Sequence, residues 1–148
     1  MKNIVWILLI MFSALNANEA KPTLMPTKEV KTEKVVWLKD LNIALEQAQK
    51  EKKPIILVVS KRSCKWCYHY KTNTLLNPMV VKAINRDFIA VMVEMEDGTL
   101  PKAFWTPGTP ATWFIDNQPQ PMFQPLMGSQ PADQLLAAFT VVTTEFKK

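Results

Sequence analysis

Glycine, cysteine and histidine are scarce in this chain of 148 residues, which contains three, two and one of them, respectively. Two cysteines can form only one disulfide bond, so the chain is not a scaffold held together by several bridges. Three glycines against eleven prolines argue against a glycine-rich loop that cradles a phosphate group. With 48% apolar and 21% charged residues, the composition also excludes collagen, a coiled coil and a wholly disordered chain. The length suits one globular domain.

A single long apolar run stands out, and it lies at the start of the chain. Lys2 precedes residues 4–15, which are apolar with one exception, and small residues follow at Ala17 and Ala20. This order predicts a secretory signal peptide over residues 1–20, cleaved after Ala17 or Ala20. Twelve helical residues span about 18 Å, which is short of a hydrocarbon core of about 30 Å. The cleavage positions fit the Ala-x-Ala rule poorly, so an uncleaved N-terminal anchor is the alternative.

The net charge of +5 does not indicate a nucleic-acid partner. The lysines are spread among acidic residues, without the interleaved aromatic side chains that a groove for single strands needs. We therefore expect a solvated basic surface and no binding of nucleic acid. Residues 21–34 mix Lys, Glu, Thr and Pro with few large apolar groups, which predicts a flexible leader before a domain over residues 35–148.

Strand and helix patterns alternate from Val35 onward. Such an alternation is typical of an α/β fold, with a small mixed central sheet and helices on both faces. The predicted elements are a strand at 35–38, a helix between Asp40 and Pro54, a strand at 55–59, a helix from Cys64 to about Leu75, a helix from Pro78 through Asn85, a strand at 88–93, a short helix around 100–105, a hairpin of 111–115 with 122–124, and a last helix opened by Pro131.

The two cysteines are separated by two residues, Lys65 and Trp66, and this spacing occurs in several kinds of site. Haem attachment needs a histidine directly after the second cysteine, and Tyr68 stands there instead. A structural zinc ion needs four ligands. Cys64, Cys67 and His69 supply three at most, so an Asp or Glu would have to complete the shell. We expect neither a metal nor a cofactor.

A static disulfide and a redox-active dithiol are the two remaining interpretations. A static bridge closing so small a loop constrains the unfolded chain little compared with a long-range bridge. The pair follows a buried strand across a short loop and opens a helix, where free backbone N–H groups stabilise a thiolate. Lys65 and Arg62 add positive charge nearby. Because the thiolate is the attacking species, this placement favours redox chemistry.

Residues 36–146 resemble the thioredoxin superfamily. The stretch from Lys53 through Cys67, followed by a helix and then Asp87-Phe88-Ile89, is most similar to bacterial exported thioredoxin-like proteins with a Cys-x-Trp-Cys centre. A second signature is Gly108-Thr109-Pro110-Ala111, which resembles the family's loop in which a cis-proline begins a strand and lies against the cysteines. The resemblance implies a thioredoxin-like fold and dithiol–disulfide exchange. It departs at Val58, where thioredoxin itself has a buried aspartate that assists proton transfer.

The residues of this site are expected to have different roles. Cys64, nearer the helix start, is expected to attack a substrate disulfide, and Cys67 to resolve the resulting mixed disulfide. Pro110 is expected to keep Thr109 exposed so that its backbone pairs with an extended substrate segment. Trp66 is predicted to belong to the apolar surface around the sulfurs, with a half-buried packing role as the alternative.

Two charged residues have open roles. Lys65 either tunes the pKa of the Cys64 thiol or is a solvated lysine of little effect. Glu94, at the end of a core strand, either relays protons in place of Val58 or is an ordinary acid at a strand end.

We therefore expect a periplasmic thiol–disulfide oxidoreductase that acts as a reductase. The alternative is a peptide-binding or chaperone module of the same fold, with a structural disulfide between Cys64 and Cys67. The expected partners are protein thiols and disulfides, together with a redox partner protein in the periplasm or membrane. We expect the domain to be monomeric.

Overall fold

The structure, a computed structural model, describes residues 33–148. The predicted signal peptide over residues 1–20 and the predicted leader as far as residue 32 lie outside the described residues. Within residues 33–148 we find no helix that combines the length and the apolar character needed to cross a membrane.

Four strands form one mixed sheet in the order β2-β1-β3-β4. Strand β1 runs parallel to β2 and antiparallel to β3, and β3 is antiparallel to β4. Every residue of β1 is buried, as expected of an unbroken apolar run in the middle of a covered sheet. The strands are β1 (Ile55–Ser60), β2 (Ile89–Glu94), β3 (Ala111–Ile115) and β4 (Leu126–Met127).

Helices cover both faces of this sheet, which confirms the predicted α/β thioredoxin-like architecture. Side chains alternate along a strand, so Leu57 of β1 faces helix α1 while Val58 faces the opposite layer of helices. The helices are α1 (Leu41–Glu51), α2 (Lys65–His69), α3 (Pro78–Asp87) and α4 (Ala132–Phe146), and a π-helical turn over Tyr70–Thr74, called here the π-turn, extends α2.

Short-range signals set the helix boundaries. The Asp40 carboxylate accepts from the backbone N–H groups of Asn42 and Ile43 at 2.7 and 3.4 Å, which caps α1. Asn77 caps α3 in the same way, and Pro78 occupies its first turn, where the missing N–H costs nothing.

Two predicted strands differ from the structure. Residues 35–38 do not form a strand, because only Leu38 pairs with the sheet, through an isolated bridge to Val91. The second strand of the hairpin is Leu126–Met127, not 122–124. Pro121 and Pro125 flank the predicted strand, and a proline has no N–H to donate to a ladder.

Candidate redox site at the start of helix α2

Cys64 is the N-cap residue of α2, directly after the loop that follows β1. Its backbone is extended, and its Sγ accepts a hydrogen bond from the backbone N–H of Cys67 at 3.0 Å. That N–H is one of the groups at a helix start that have no partner within the helix. The first sulfur therefore lies where the backbone stabilises negative charge.

The two sulfurs form a disulfide bond but have different surroundings. Cys64 is partly exposed, whereas Cys67 is 1% exposed. The difference follows from position in the helix, because Cys64 is the cap residue and Cys67 is the buried residue of α2. An incoming disulfide would thus meet Cys64 first.

The loop before β3 lies against Cys64. The Thr109 hydroxyl donates to the Cys64 Sγ at 3.6 Å, and the Thr109 carbonyl oxygen lies 3.6 Å from the same sulfur. The peptide bond between Thr109 and Pro110 is cis, and Pro110 is buried. The antiparallel pairing of β3 with β1 brings together these two segments, which are distant in sequence.

The other candidate residues lie around the sulfurs. Trp66 is 60% exposed and is in edge contact with His69, with ring centroids 5.9 Å apart. His69 Nδ1 also lies within hydrogen-bond distance of the Ser129 hydroxyl, at 3.1 Å. Lys65 is exposed next to Cys64. The roles assigned to Trp66 and Lys65 stay predictions.

Arg62 is bound by two acidic side chains. Its guanidinium forms an ion pair with Asp97, and its backbone N–H donates to the Glu96 carboxylate. The two acids lie in the turn after β2, so Arg62 joins that turn to the loop before Cys64. Its charge is therefore largely compensated.

Two residues near the site were not singled out by the sequence analysis. Lys71 lies in the π-turn, four residues after Cys67, and its Nζ is 2.5 Å from Glu94 Oε1. Ser60, the last residue of β1, is the register partner of Glu94 and is fully buried. The spacing of Cys67 and Lys71 was visible in the sequence, whereas the pairing of Ser60 with Glu94 depends on the sheet.

Within residues 33–148, no three His, Cys, Asp or Glu side chains are grouped in a way that could hold a metal ion.

Comparison with solved structures identifies the same fold. A thioredoxin from Thermus thermophilus superposes with a TM-score of 0.63 at 23% identity, covering 73% of this chain and 86% of that one. A structure titled DsbH oxidoreductase has a TM-score of 0.63 at 16% identity, covering 84% and 95%. The oxidised C-terminal domain of Neisseria meningitidis DsbD has a TM-score of 0.58 at 22% identity, covering 72% and 98%.

Curated relatives match a shorter part of the chain. Spermatogenesis-associated protein 20 of Mus musculus is 37% identical over 54 residues, which is 36% of this chain and 7% of that protein. The Rattus norvegicus protein is 30% identical over 80 residues, which is 54% of this chain and 10% of that protein. The chain thus spans a tenth or less of these relatives.

A family model named Thioredox_DsbH, described as a protein of unknown function (DUF255), matches residues 17–143. This match covers most of the chain and includes both cysteines and the Thr109–Pro110 loop. The chain therefore belongs to the Thioredox_DsbH family and has a thioredoxin-like fold with a Cys64–Cys67 disulfide.

Proposed function

We propose that this protein is a thiol–disulfide oxidoreductase that exchanges its Cys64–Cys67 pair with disulfides of protein substrates. The observation that carries the proposal is the asymmetry of the two sulfurs. Cys64 is accessible and accepts a backbone hydrogen bond at a helix start, whereas Cys67 is buried behind it. One sulfur is thus suited to attack a substrate, and the other to resolve the mixed disulfide.

In the reductive direction, the Cys64 thiolate attacks one sulfur of a substrate disulfide and the other substrate sulfur leaves as a thiolate. Cys67 then attacks Cys64 Sγ, forming the intramolecular disulfide and releasing the second substrate sulfur. The substrate gains two electrons, and the pair returns to the oxidised form found here. Thr109 is proposed to bind an extended substrate segment through its backbone, and Trp66 to contribute exposed apolar surface beside Cys64.

We propose that the protein works as a reductase. A dithiol becomes more oxidising when its reduced form is strongly stabilised, because a stable thiolate favours the open pair. Here the Arg62 charge is engaged by Asp97, and Lys65 is exposed to solvent, where a single charge has a small effect. The thiolate is thus supported mainly by backbone N–H groups, which argues against a strongly oxidising pair.

We also propose that the protein is exported to the periplasm and works on proteins there. Lys2, the apolar run over residues 4–15 and the small residues up to Ala20 support this location. The proposed partners are protein disulfides and a second redox protein that restores the dithiol.

The test combines turnover with a potential measurement. We expect the protein to reduce insulin disulfides, Cys64→Ala to abolish turnover, and Cys67→Ala to accumulate mixed disulfides with the substrate. Titration in glutathione buffers is expected to place the potential between about −120 and −270 mV, near the lower end. Full turnover by Cys64→Ala would remove the proposal. A potential below about −300 mV would instead indicate a static disulfide in a binding module.

A further inference from the structure

Basic and acidic residues are unevenly distributed between the redox site and the rest of the domain. Residues 52–86 contain eight Lys and Arg and no Asp or Glu, and this stretch includes β1, both cysteines and α3. The remainder of residues 33–148 contains six basic and eleven acidic residues. Although lysines are spread among acids along the chain as a whole, the stretch that contains the sulfurs is therefore entirely basic.

Three acidic residues at the end of β2 and in the turn that follows it are bound to two of these basic residues. Glu94 Oε1 lies 2.5 Å from Lys71 Nζ. The Asp97 carboxylate forms an ion pair with Arg62, and the Glu96 carboxylate accepts from the Arg62 backbone N–H. The three acids thus compensate the charges of Lys71 and Arg62.

Helix starts normally favour acidic residues, because their free N–H groups and the helix dipole attract negative charge. Asp40 caps α1, and Asp133 lies in the first turn of α4, so both follow this preference. Helix α2 does the opposite, since it begins with Lys65 and has no acid in its first turn. A cation at this position disfavours the helix, so helix stability does not explain Lys65.

Lys61 and Lys65 are the uncompensated charges closest to Cys64 in the sequence. They lie three residues before Cys64 and one residue after it, and both side chains are exposed. Within residues 33–148, neither lysine forms an ion pair. Two free cations therefore flank the accessible sulfur.

The segment that lies against Cys64 from the other side is uncharged. Residues 103–115, which include Thr109, and residues 117–132, which include β4, contain no Asp, Glu, Lys or Arg. The Gly128 N–H donates to the Pro110 carbonyl at 2.7 Å, which joins the second segment to the first. These segments do not offset Lys61 and Lys65, so the surface around Cys64 is positively charged.

We propose that Lys61 and Lys65 attract acidic substrates, so that the protein acts preferentially on disulfides flanked by Asp or Glu in the substrate protein. This inference rests on the proposed function and names its class of substrate. A single exposed charge has a small local effect, but several charges of one sign act together over a distance of about 10 Å at 0.1 M salt. Such charges mainly raise the rate at which an oppositely charged partner is met.

The experiment uses three synthetic peptides of equal length, each with one cysteine joined by a disulfide bond to thionitrobenzoate. Glu flanks the cysteine in the first peptide, Gln in the second and Lys in the third. The Cys64 thiolate attacks the peptide sulfur and forms a new sulfur–sulfur bond, and thionitrobenzoate leaves as a coloured thiolate because it is the more acidic thiol. Cys67 then attacks Cys64 Sγ and releases the peptide thiolate.

Stopped-flow absorbance measures the release of thionitrobenzoate by the reduced protein. The rate of each peptide with 2-mercaptoethanol corrects for its intrinsic reactivity. At an ionic strength of about 10 mM, we expect the Glu peptide to react at least about tenfold faster than the Gln peptide, and the Lys peptide to react most slowly. At about 1 M salt we expect the difference to vanish, because the screening length falls to about 3 Å.

The double variant Lys61→Gln/Lys65→Gln is expected to lower the ratio of the Glu rate to the Gln rate by at least about threefold. A changed pKa of the Cys64 thiol would alter the rates of all three peptides by the same factor, so the ratio isolates the attraction. The matched control is Lys50→Gln/Lys52→Gln, which removes two exposed lysines just before the opposite end of β1. We expect its ratio to match the wild type.

Equal corrected rates for the Glu and Gln peptides would overturn the inference. So would a ratio that does not depend on salt, or one that is the same in Lys61→Gln/Lys65→Gln as in the wild type. If no peptide releases thionitrobenzoate from reaction with the reduced wild type, the proposed function itself is refuted.

Discussion

Single residues of the same type differ here because of where they lie. Cys64 and Cys67 are joined in one disulfide, yet Cys64 is partly exposed at a helix cap and Cys67 is only 1% exposed within the helix. The surroundings of Tyr70 matter in the same way. Its side chain is buried, and its hydroxyl lies 3.0 Å from the Thr112 hydroxyl. The environment of each group, and not its chemistry alone, determines what it can do.

Tyr70→Phe is expected to destabilise the protein at neutral pH by about 1–3 kcal/mol, because Thr112 Oγ1 loses its partner in a buried site. Burial raises the pKa of Tyr70 from 10.0 to about 12, and the hydrogen bond to Thr112 partly offsets this. Since the folded pKa is the higher one, the wild type loses stability as pH rises from 10.0 towards about 12.

Urea unfolding at neutral and alkaline pH measures both effects. Tyr70→Phe lacks the titrating hydroxyl, so its free energy of unfolding should decline less than that of the wild type over this alkaline range. An equal decline in the two proteins would contradict the attribution of this alkaline loss of stability to the Tyr70 hydroxyl.

At the scale of elements, the helix after the cysteines is not uniform. The sequence predicts one helix from Cys64 to about Leu75, but the structure changes to a π-turn at Tyr70, and the Leu75 N–H donates to the Tyr70 carbonyl at 3.0 Å. Thr74 is anchored by a 2.6 Å hydrogen bond to the Gln130 carbonyl. Side-chain anchors to other elements thus hold a wider turn than local propensity predicts.

Asp87 ends α3, where the helix dipole disfavours a negative charge. The hydrogen bond from Arg86 lowers the pKa of Asp87 below its usual 3.8, and the charges of Arg86, Lys147 and Lys53 act in the same direction. The pKa of Asp87 is lower in the folded protein than in the unfolded chain. The stabilisation is therefore complete at pH values above the unfolded-state pKa, and it is lost as the pH falls through the folded-state pKa.

We expect Asp87→Asn to be slightly less stable than the wild type at neutral pH, and the difference to vanish in acid. Urea unfolding at several pH values tests this. The control Glu46→Gln changes an exposed carboxylate in α1 and is expected to leave the acid dependence as in the wild type. If the difference in the free energy of unfolding between Asp87→Asn and the wild type persists in strong acid, the charge of Asp87 is not its cause.

At the scale of the whole molecule, the site forms at one end of the sheet. Cys64 follows β1, and Thr109 and Pro110 precede its antiparallel neighbour β3, so the end of one strand lies beside the start of the other. Glu94 ends the parallel neighbour β2 at the same edge. Three segments distant in sequence therefore meet at this end of the sheet.

The export proposal also concerns the whole chain. With residues 1–20 present, we expect a bacterial host to accumulate the protein in the periplasmic or membrane fraction, because a basic start followed by an apolar run and small residues is the pattern of a secretory signal peptide. Without those residues, it should remain in the cytoplasm. Leu8→Asp, which interrupts the run, should behave like the deletion. Cell fractionation followed by immunoblotting measures this, and a periplasmic deletion variant would refute the proposal.

Much of the fold could be predicted from local patterns. Asp40, Asn77 and Pro78 mark helix starts because caps act within one turn, and the run at residues 55–59 predicts a covered strand. The wrong predictions concern two strands, because the bounds of a strand depend on its pairing with other strands. The strand predicted at 35–38 contributes one bridge, and the last strand lies at 126–127, beyond the prolines.

What the sequence by itself determined is the position of the cysteines after a buried strand and at a helix start, together with the family resemblance of the Thr109–Pro110 loop. These features depend on neighbouring residues and spacing, which a linear chain displays directly. Only the tertiary structure decided that Thr109 touches Cys64, that Cys67 is buried, and that Ser60 pairs in register with Glu94. Those contacts join residues tens of positions apart, and the strand register that creates them is a property of the packed sheet.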